Sequence, residues 1–154
     1  MNISVPMPLD NDGFLRRECP NCKVQFKWHS GPANEAAENQ PAAEVYFCPS
    51  CGQSAATDQW WTTEQLEYAK GVGMPAALQA LDDELTSVFR GMNSKHFKVK
   101  KTGHLDIPDE PDPLIEPDDM MIVASPCHAW EPIKVAEDTA SPLHCLVCGQ
   151  QFAL

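Results

Sequence analysis

Along the first sixty residues the apolar positions come in short alternating runs. In "KVQFKW" Val24, Phe26 and Trp28 alternate with polar neighbours, the period of a half-buried strand, and "VYF" at 45–47 predicts a short return strand. Between them "SGPANEAAENQPAAE" (30–44) has no periodicity and is rich in Ala, Pro, Asn and Glu, which predicts a long, mobile loop. The period changes after "DQWW". Thr62 and Gln65 stand three apart, the spacing of a capping box, so a helix is expected to start there. "GVGMP" (71–75) predicts a break or kink, because Gly and Pro disfavour a helix interior. From Pro75 the pattern resumes: Leu78, Leu81, Leu85, Val88 and Phe89 share one face, with Gly91 at the end.

In "SKHFKVKK" (94–101) Phe97 and Val99 alternate with lysines, which predicts a strand with one wet face. Next, "DIPDEPDPLIEPDD" (106–119) holds seven acids and four prolines in fourteen residues. That composition predicts an extended, charged linker. After it, "MMIVA" reads as a buried strand and "WEPIKVA" as a second strand, and "LHCLVCGQQFAL" closes the chain. Strand-forming residues follow one ligand group at each end, and each end has a C-x-x-C-G, which amounts to a weak internal duplication.

The cysteines supply the chemistry. Cys19-x2-Cys22 and Cys48-x2-Cys51 form two matched pairs with strands between them. A C-x-x-C turn sets two thiolates on one edge of a tetrahedron, and two such turns at the ends of a hairpin close it around zinc. Over residues 16–54 the chain resembles the zinc ribbon family, which implies a structural zinc with all four positions filled. A pair of thioredoxin-like redox motifs is the competing reading. It fits poorly, since such a motif opens a helix within a much larger fold.

The second group is Cys145-x2-Cys148 with Gly149 after it, and it needs two more ligands. Cys127 and His128 in "SPCHAW" can supply them. The "HAWEP" run resembles the histidine-containing half of some small bacterial zinc ribbons, but without the usual spacer between Cys and His. Neighbouring side chains diverge in an extended chain, so both can ligate only if the backbone turns sharply, with Pro126 helping. His144 competes for the fourth position and faces the same difficulty beside Cys145. The bland alternative is an inert, buried Cys127 with a surface His128. A zinc deaminase is disfavoured, because His128-x-x-Glu131 and Pro142-x-x-Cys145 both have the wrong spacing and Cys127 fills the water's place.

These readings combine into a small, metal-stabilised α+β protein. Its predicted parts are a zinc ribbon (14–58), a helical segment with a basic strand (59–104), an acidic Pro-rich linker (105–119) and a second ribbon-like module (120–154). Two zinc ions per chain are expected.

The 154 residues carry a formal charge of −11, and loaded thiolate sites would take it to about −14. Such a surface repels phosphate backbones at long range and favours a protein partner, which makes the expected role a non-catalytic adaptor or regulator. Trp60 and Trp61 are candidate anchors, for packing or for a protein contact. A nucleic-acid regulator is the alternative, using Arg16, Arg17 and the lysines of Lys95–Lys101, with Lys23 and Lys27 nearby. A thiol redox sensor or enzyme centred on Cys127 is a second alternative. The opening residues have no basic region followed by an apolar run, and no stretch reaches the length of a membrane span, so the expected location is the cytoplasm, with no membrane or small-molecule partner indicated.

Overall fold

A computed structural model describes residues 2–154. The chain divides into two compact units, Met7–Gln65 with Leu114–Leu154, and residues 2–6 with Leu66–Pro113. The elements in order are β1 (Phe14–Glu18), β2 (Gln25–His29), α1 (Glu35–Glu38), β3 (Val45–Phe47), β4 (Ser54–Ala56), α2 (Thr63–Gly91), β5 (Met121–Val123), β6 (Ile133–Val135), β7 (Leu143–His144) and β8 (Gln151–Phe152).

In the first unit the two ends of the chain share one sheet, in the order β1-β2-β6-β5, with every neighbour antiparallel. Two hairpins, β1-β2 and β5-β6, join through their second strands, and Lys27 lies directly opposite Lys134. Pairs β3-β4 and β7-β8 form two smaller ribbons. Alternation places Phe26, Trp28, Ile133 and Val135 on one face, where they meet Trp60, Leu143 and Leu146 in a single core. The predicted strands around Phe26, Val45, Met121 and Ile133 are present. Met121–Val123 is an edge strand, however, with Ile122 on its open side and 55% exposed.

The other face of the sheet is charged, and it is covered at the two central strands β2 and β6. Lys27 and Lys134 are 0% and 1% exposed, and the Asp10 carboxylate bridges them at 3.2 and 2.8 Å. Its second oxygen accepts the Asp12 and Phe14 backbone N–H groups, both at 3.0 Å. Glu116 and Asp119 pair with Lys27, and Asp12 and Asp118 pair with Lys134. The last third of the acidic stretch therefore packs on the sheet instead of spanning open solvent. Buried lysines opposite one another need carboxylates, and this sequence supplies them.

Residues 30–44 are not a featureless loop. Asn34 accepts the Ala37 N–H at 2.9 Å and caps the single turn α1. The expected break at 71–75 is also absent, since α2 runs unbroken from Thr63 to Gly91 with Pro75 inside it. Gly71 has a different use. A Cβ there would lie 3.0 Å from the Pro111 ring, so the missing side chain lets the proline-rich stretch cross the helix. Thr62 and Gln65 exchange the reciprocal bonds of a capping box, both at 3.0 Å.

Within the second unit the apolar face of α2 is partly open, with Leu81 47% and Val88 51% exposed and Leu78, Leu85 and Phe89 half-buried. Its buried member is Asp82, which takes the Lys101 ammonium, the Leu105 N–H at 3.0 Å and the His104 ring at 3.1 Å. The predicted strand at 94–101 does not form. Asn93 and Ser94 side chains accept the Val99 and Phe97 N–H groups at 2.7 and 3.1 Å, satisfying donors that a strand would offer to a neighbour.

Candidate metal centres

Three of the four ligand turns share one backbone pattern. The N–H of the residue after the second cysteine (Lys23, Gly52, Gly149) bonds the carbonyl of the first (Cys19, Cys48, Cys145), at 2.8–3.0 Å. The N–H of the first cysteine then bonds the carbonyl one residue further on, at Val24, Gln53 and Gln150. Closing this turn puts the residue after the second cysteine at φ of 66°, 73° and 75° respectively. Glycine meets that requirement without strain in two turns, and Lys23 meets it in the third.

The first group brings together Cys19, Cys22, Cys48 and Cys51, whose sulfurs all lie within 4.8 Å of one another. Cys19 and Cys51 stand 3.7 Å apart, as do Cys22 and Cys48. A tetrahedron with metal–sulfur bonds of about 2.3 Å has edges of about 3.8 Å. Backbone N–H groups of Asn21 and Cys22 point at Cys19 Sγ, and those of Ser50 and Cys51 at Cys48 Sγ, each at 3.4 Å. Burial pushes the Cys48 and Cys22 thiols up. Burial acts the same way on Cys51, but N–H donors from Gln53 and Asn21 and the neighbouring thiols outweigh it and bring Cys51 down to about 7.

The second group is Cys127, His128, Cys145 and Cys148, with donor atoms again within 4.8 Å of one another. Cys127 Sγ is 3.6 Å from Cys148 Sγ, and His128 Nδ1 is 3.4 Å from Cys145 Sγ. The sharp turn that adjacent ligands require is present. The chain bends at Pro126–Cys127 and turns at Ala129–Trp130, where the Glu131 N–H donates to the His128 carbonyl at 3.1 Å. Ser125, missed in the sequence, holds the corner: its hydroxyl donates to Cys145 Sγ at 3.1 Å and accepts the His128 N–H at 3.3 Å. Trp130 sets its ring at 83° to the His128 imidazole, 5.7 Å between centroids. Burial acts to raise Cys145, but Ser125 and the Cys148 and Val147 N–H groups lower it to about 7.

His144 lies outside this group. Its ring packs over Gly52, where a Cβ would be 2.7 Å away, and its Nδ1 lies 3.2 Å from the Pro49 carbonyl. The opposite half repeats the arrangement, with the Phe47 ring over Gly149, where a Cβ would be 2.6 Å away. The backbones reciprocate too: His144 N–H bonds the Pro49 carbonyl at 2.8 Å, and Phe47 N–H bonds the Leu146 carbonyl at 2.9 Å. Each cysteine turn is thus the packing partner of the other. Cys19, Cys48 and Cys145 are all buried, and Cys19 and Cys48 belong to the core together with Leu143 and Leu146, which flank Cys145.

The other singled-out residues are placed as follows. Trp60 is fully buried, and Trp61 stacks on Arg17. Arg16 is held by Glu116 at 2.9 Å and, in a two-oxygen grip, by Asp119 at 2.6 and 2.7 Å. Arg17 and Lys27 are buried and Lys101 is bound to Asp82, while Lys95, Lys98 and Lys100 are exposed. Among the described residues no helix is long and apolar enough to cross a membrane. No family model, curated protein or solved structure matches the chain. Both groups, by donor set and spacing, could hold a metal ion.

Proposed function

We propose that this chain is a non-catalytic module stapled by two structural zinc ions, one in each group, and that it presents the resulting rigid surface to a protein partner. The observation that carries this is the pair of complete four-donor groups within one compact unit. Sulfur-rich tetrahedral sets select zinc or iron over harder cations, and four filled positions leave none for a substrate water. Cys127 acts as a ligand in this reading, not as a free thiol. The first group resembles a zinc ribbon in its turns, while the shared sheet makes the two halves one body. A protein partner is favoured over nucleic acid because Arg16, Lys27 and Lys134 are already neutralised by carboxylates and the chain is strongly acidic.

Native mass spectrometry on protein purified without added metal or chelator tests the metal assignment. Two zinc ions per chain are expected, falling to one in Cys127→Ser and to a weakened second site in His128→Ala. A single zinc that survives Cys127→Ser intact would remove Cys127 from the metal and revive its thiol chemistry. Iron in place of zinc would show as colour and by mass. Binding to bulk DNA or RNA is expected to be absent at physiological salt; affinity falling steeply with salt would reverse the choice of partner.

A further inference from the structure

An open groove of about 1130 Å³ lies within the unit that carries both cysteine groups. Trp28 of β2, Tyr46 of β3 and Trp130 from the turn after His128 give it aromatic walls. The segment that holds α1 forms another side, and Asn34 ties it to Trp130 by donating to that carbonyl at 3.3 Å. Three carboxylates, Glu38, Glu44 and Glu131, also line the groove. Glu38 and Glu44 are exposed, at its rim, and Glu131 is half-buried.

On the charged face of the sheet Asp10, Glu116 and Asp119 are all taken by lysine or arginine. The three groove carboxylates are not: among the described residues none has an ion pair or a side-chain hydrogen bond. Burial, and after it the charge of Glu131, push the Tyr46 phenol up to about 12, so the Glu131 carboxylate stands close to that hydroxyl. A half-buried carboxylate without a partner has lost part of its hydration on folding, and an arriving cation is held more strongly there than at an open surface. Arg17 is the one guanidinium in the lining, and it is enclosed. It is 6% exposed, it lies 4.5 and 4.2 Å from the Trp28 and Trp61 ring centroids, and its Nε and Nη1 atoms are buried. With the histidines neutral, three carboxylates against one guanidinium leave the lining negative, in a chain whose formal charge is −11.

An arginine side chain suits such a lining. Its planar fork takes a carboxylate by two parallel bonds, its flat face lies on aromatic rings, and it sheds water more readily than an ammonium. Its carbon stem can cover apolar wall on the way in. The volume exceeds the range of ~300–1,000 Å³ usual for small-molecule pockets, which leaves room for several residues of an extended chain. We infer that this groove receives an arginine-bearing peptide segment of a protein partner, one guanidinium pairing with Glu131 beside Tyr46 and Trp130 and further basic residues meeting Glu38 and Glu44 at the rim. The inference rests on the protein-partner reading above and gives that partner its chemistry, a basic segment for an acidic chain. It stands apart from the zinc assignment, although Cys127 and His128 also line the groove.

The test uses the full chain at physiological salt and an acetylated, amidated Gly-Ala-Arg-Leu-Arg-Ala-Gly peptide. Companion probes carry citrulline at both arginines, which keeps the shape and loses the charge, or lysine at both, and free arginine is the fourth probe. Readouts are titration calorimetry and the indole resonances of Trp28 and Trp130, with zinc content checked on each sample. The arginine peptide is expected to bind and shift both indole signals, and the citrulline peptide to bind about tenfold more weakly, the loss of a charge-assisted bond. The lysine peptide, which keeps the charge and loses the fork, should fall between. Glu131→Gln is expected to bind the arginine peptide about tenfold more weakly and to keep its zinc, since the carboxylate makes no bond within the chain. Should that variant lose zinc, Glu44→Gln at the exposed rim carries the same test, with an expected loss of about threefold. Glu67→Gln removes the same charge from α2, outside the groove, and should leave the affinity within about twofold.

Equal binding of the arginine and citrulline peptides by the wild type would overturn the proposal. So would a loss in Glu67→Gln as large as that in the groove variants, because binding would then follow overall charge. Free arginine that binds as tightly as the peptide would also overturn it, in favour of a small-molecule site. A wild type with intact zinc and no response to any probe would end this inference and leave the metal and protein-partner readings standing. Those two fail separately, the first on zinc content and the second on salt-sensitive binding to bulk DNA or RNA.

Discussion

Lys23 occupies the position that glycine fills in the two later cysteine turns, with φ of 66°. A side chain in the left-handed region costs roughly 1–2 kcal/mol, and glycine gives back part of that through its freer unfolded chain. Lys23→Gly is therefore expected to stabilise the protein by about 0.5–1 kcal/mol, read as a higher midpoint in denaturant with both metals retained. An unchanged or lower midpoint would mean that the lysine side chain, exposed at this turn, makes up for its backbone. At this scale the sequence was most legible where local geometry is stereotyped. A C-x-x-C followed by Gly implies the turn, the N–H···S bonds and the strand that follows. Cys127-His128 lacks that stereotype. Its closure depends on Ser125 and Trp130, whose parts are set by tertiary contact and have no fixed spacing to read.

Local propensity misled at the level of elements wherever a distant segment decided the outcome. "GVGMP" carries two helix-disfavouring glycines and a proline, yet α2 continues through it between flanking strong helix formers, and Gly71 leaves the space that the Pro111 ring occupies. Pro75 still forfeits the bond to the Gly71 carbonyl and crowds it. Pro75→Ala should restore that bond and raise the helical melting point followed by circular dichroism. The gain is expected to be about 1–3 kcal/mol, given a proline cost near 3 in a helix interior. A loss of stability would show that the proline ring is needed where it sits. The failed strand at 94–101 has the same logic in reverse. Its alternation was real, but a strand needs a neighbour, and Asp82 on the helix captures Lys101 instead. Nothing in the local pattern of 94–101 marks Asp82 as its acceptor.

The whole unit that carries both cysteine groups turns on one carboxylate. Two hairpins from opposite ends of the chain meet at Lys27 and Lys134, and Asp10 stands between those ammonium groups, completely enclosed. The sequence showed an internal duplication and predicted two tethered modules. It could not show that the copies pair edge to edge, because no periodicity encodes which strand lies beside which. Asp10 is the residue that makes the pairing tolerable. Burial acts to raise its carboxyl, but Lys134, the Phe14 N–H, Lys27 and the Asp12 N–H outweigh it and hold it at about 2, against an ordinary 3.8.

A depressed carboxylate contributes stability that is fully present above its unfolded value and lost as pH falls through its folded one. This contribution, about 2 kcal/mol, should accordingly persist from neutral pH down to about 4 and fade toward pH 2. Against the pull of burial, Glu116, Asp10 and Asp119 raise Lys27, and Asp10, Asp118 and Asp12 raise Lys134, so their share is complete below about 10.5 and lost only above it. Asp10→Asn is expected to cost about 3–5 kcal/mol at pH 7, since it leaves two buried ammonium groups facing each other. Adding Lys134→Met should recover part of that loss by removing one of them, so the double variant is more stable than Asp10→Asn alone. Denaturant midpoints of the wild type and both variants, measured with excess zinc at pH 7 and again below pH 4, decide the matter. A wild-type advantage over Asp10→Asn that is as large in acid as at neutrality would mean that the carboxylate's charge is not what joins the halves. The two backbone bonds it accepts would then carry the effect, and the lysine pair would be held by Asp12, Glu116, Asp118 and Asp119.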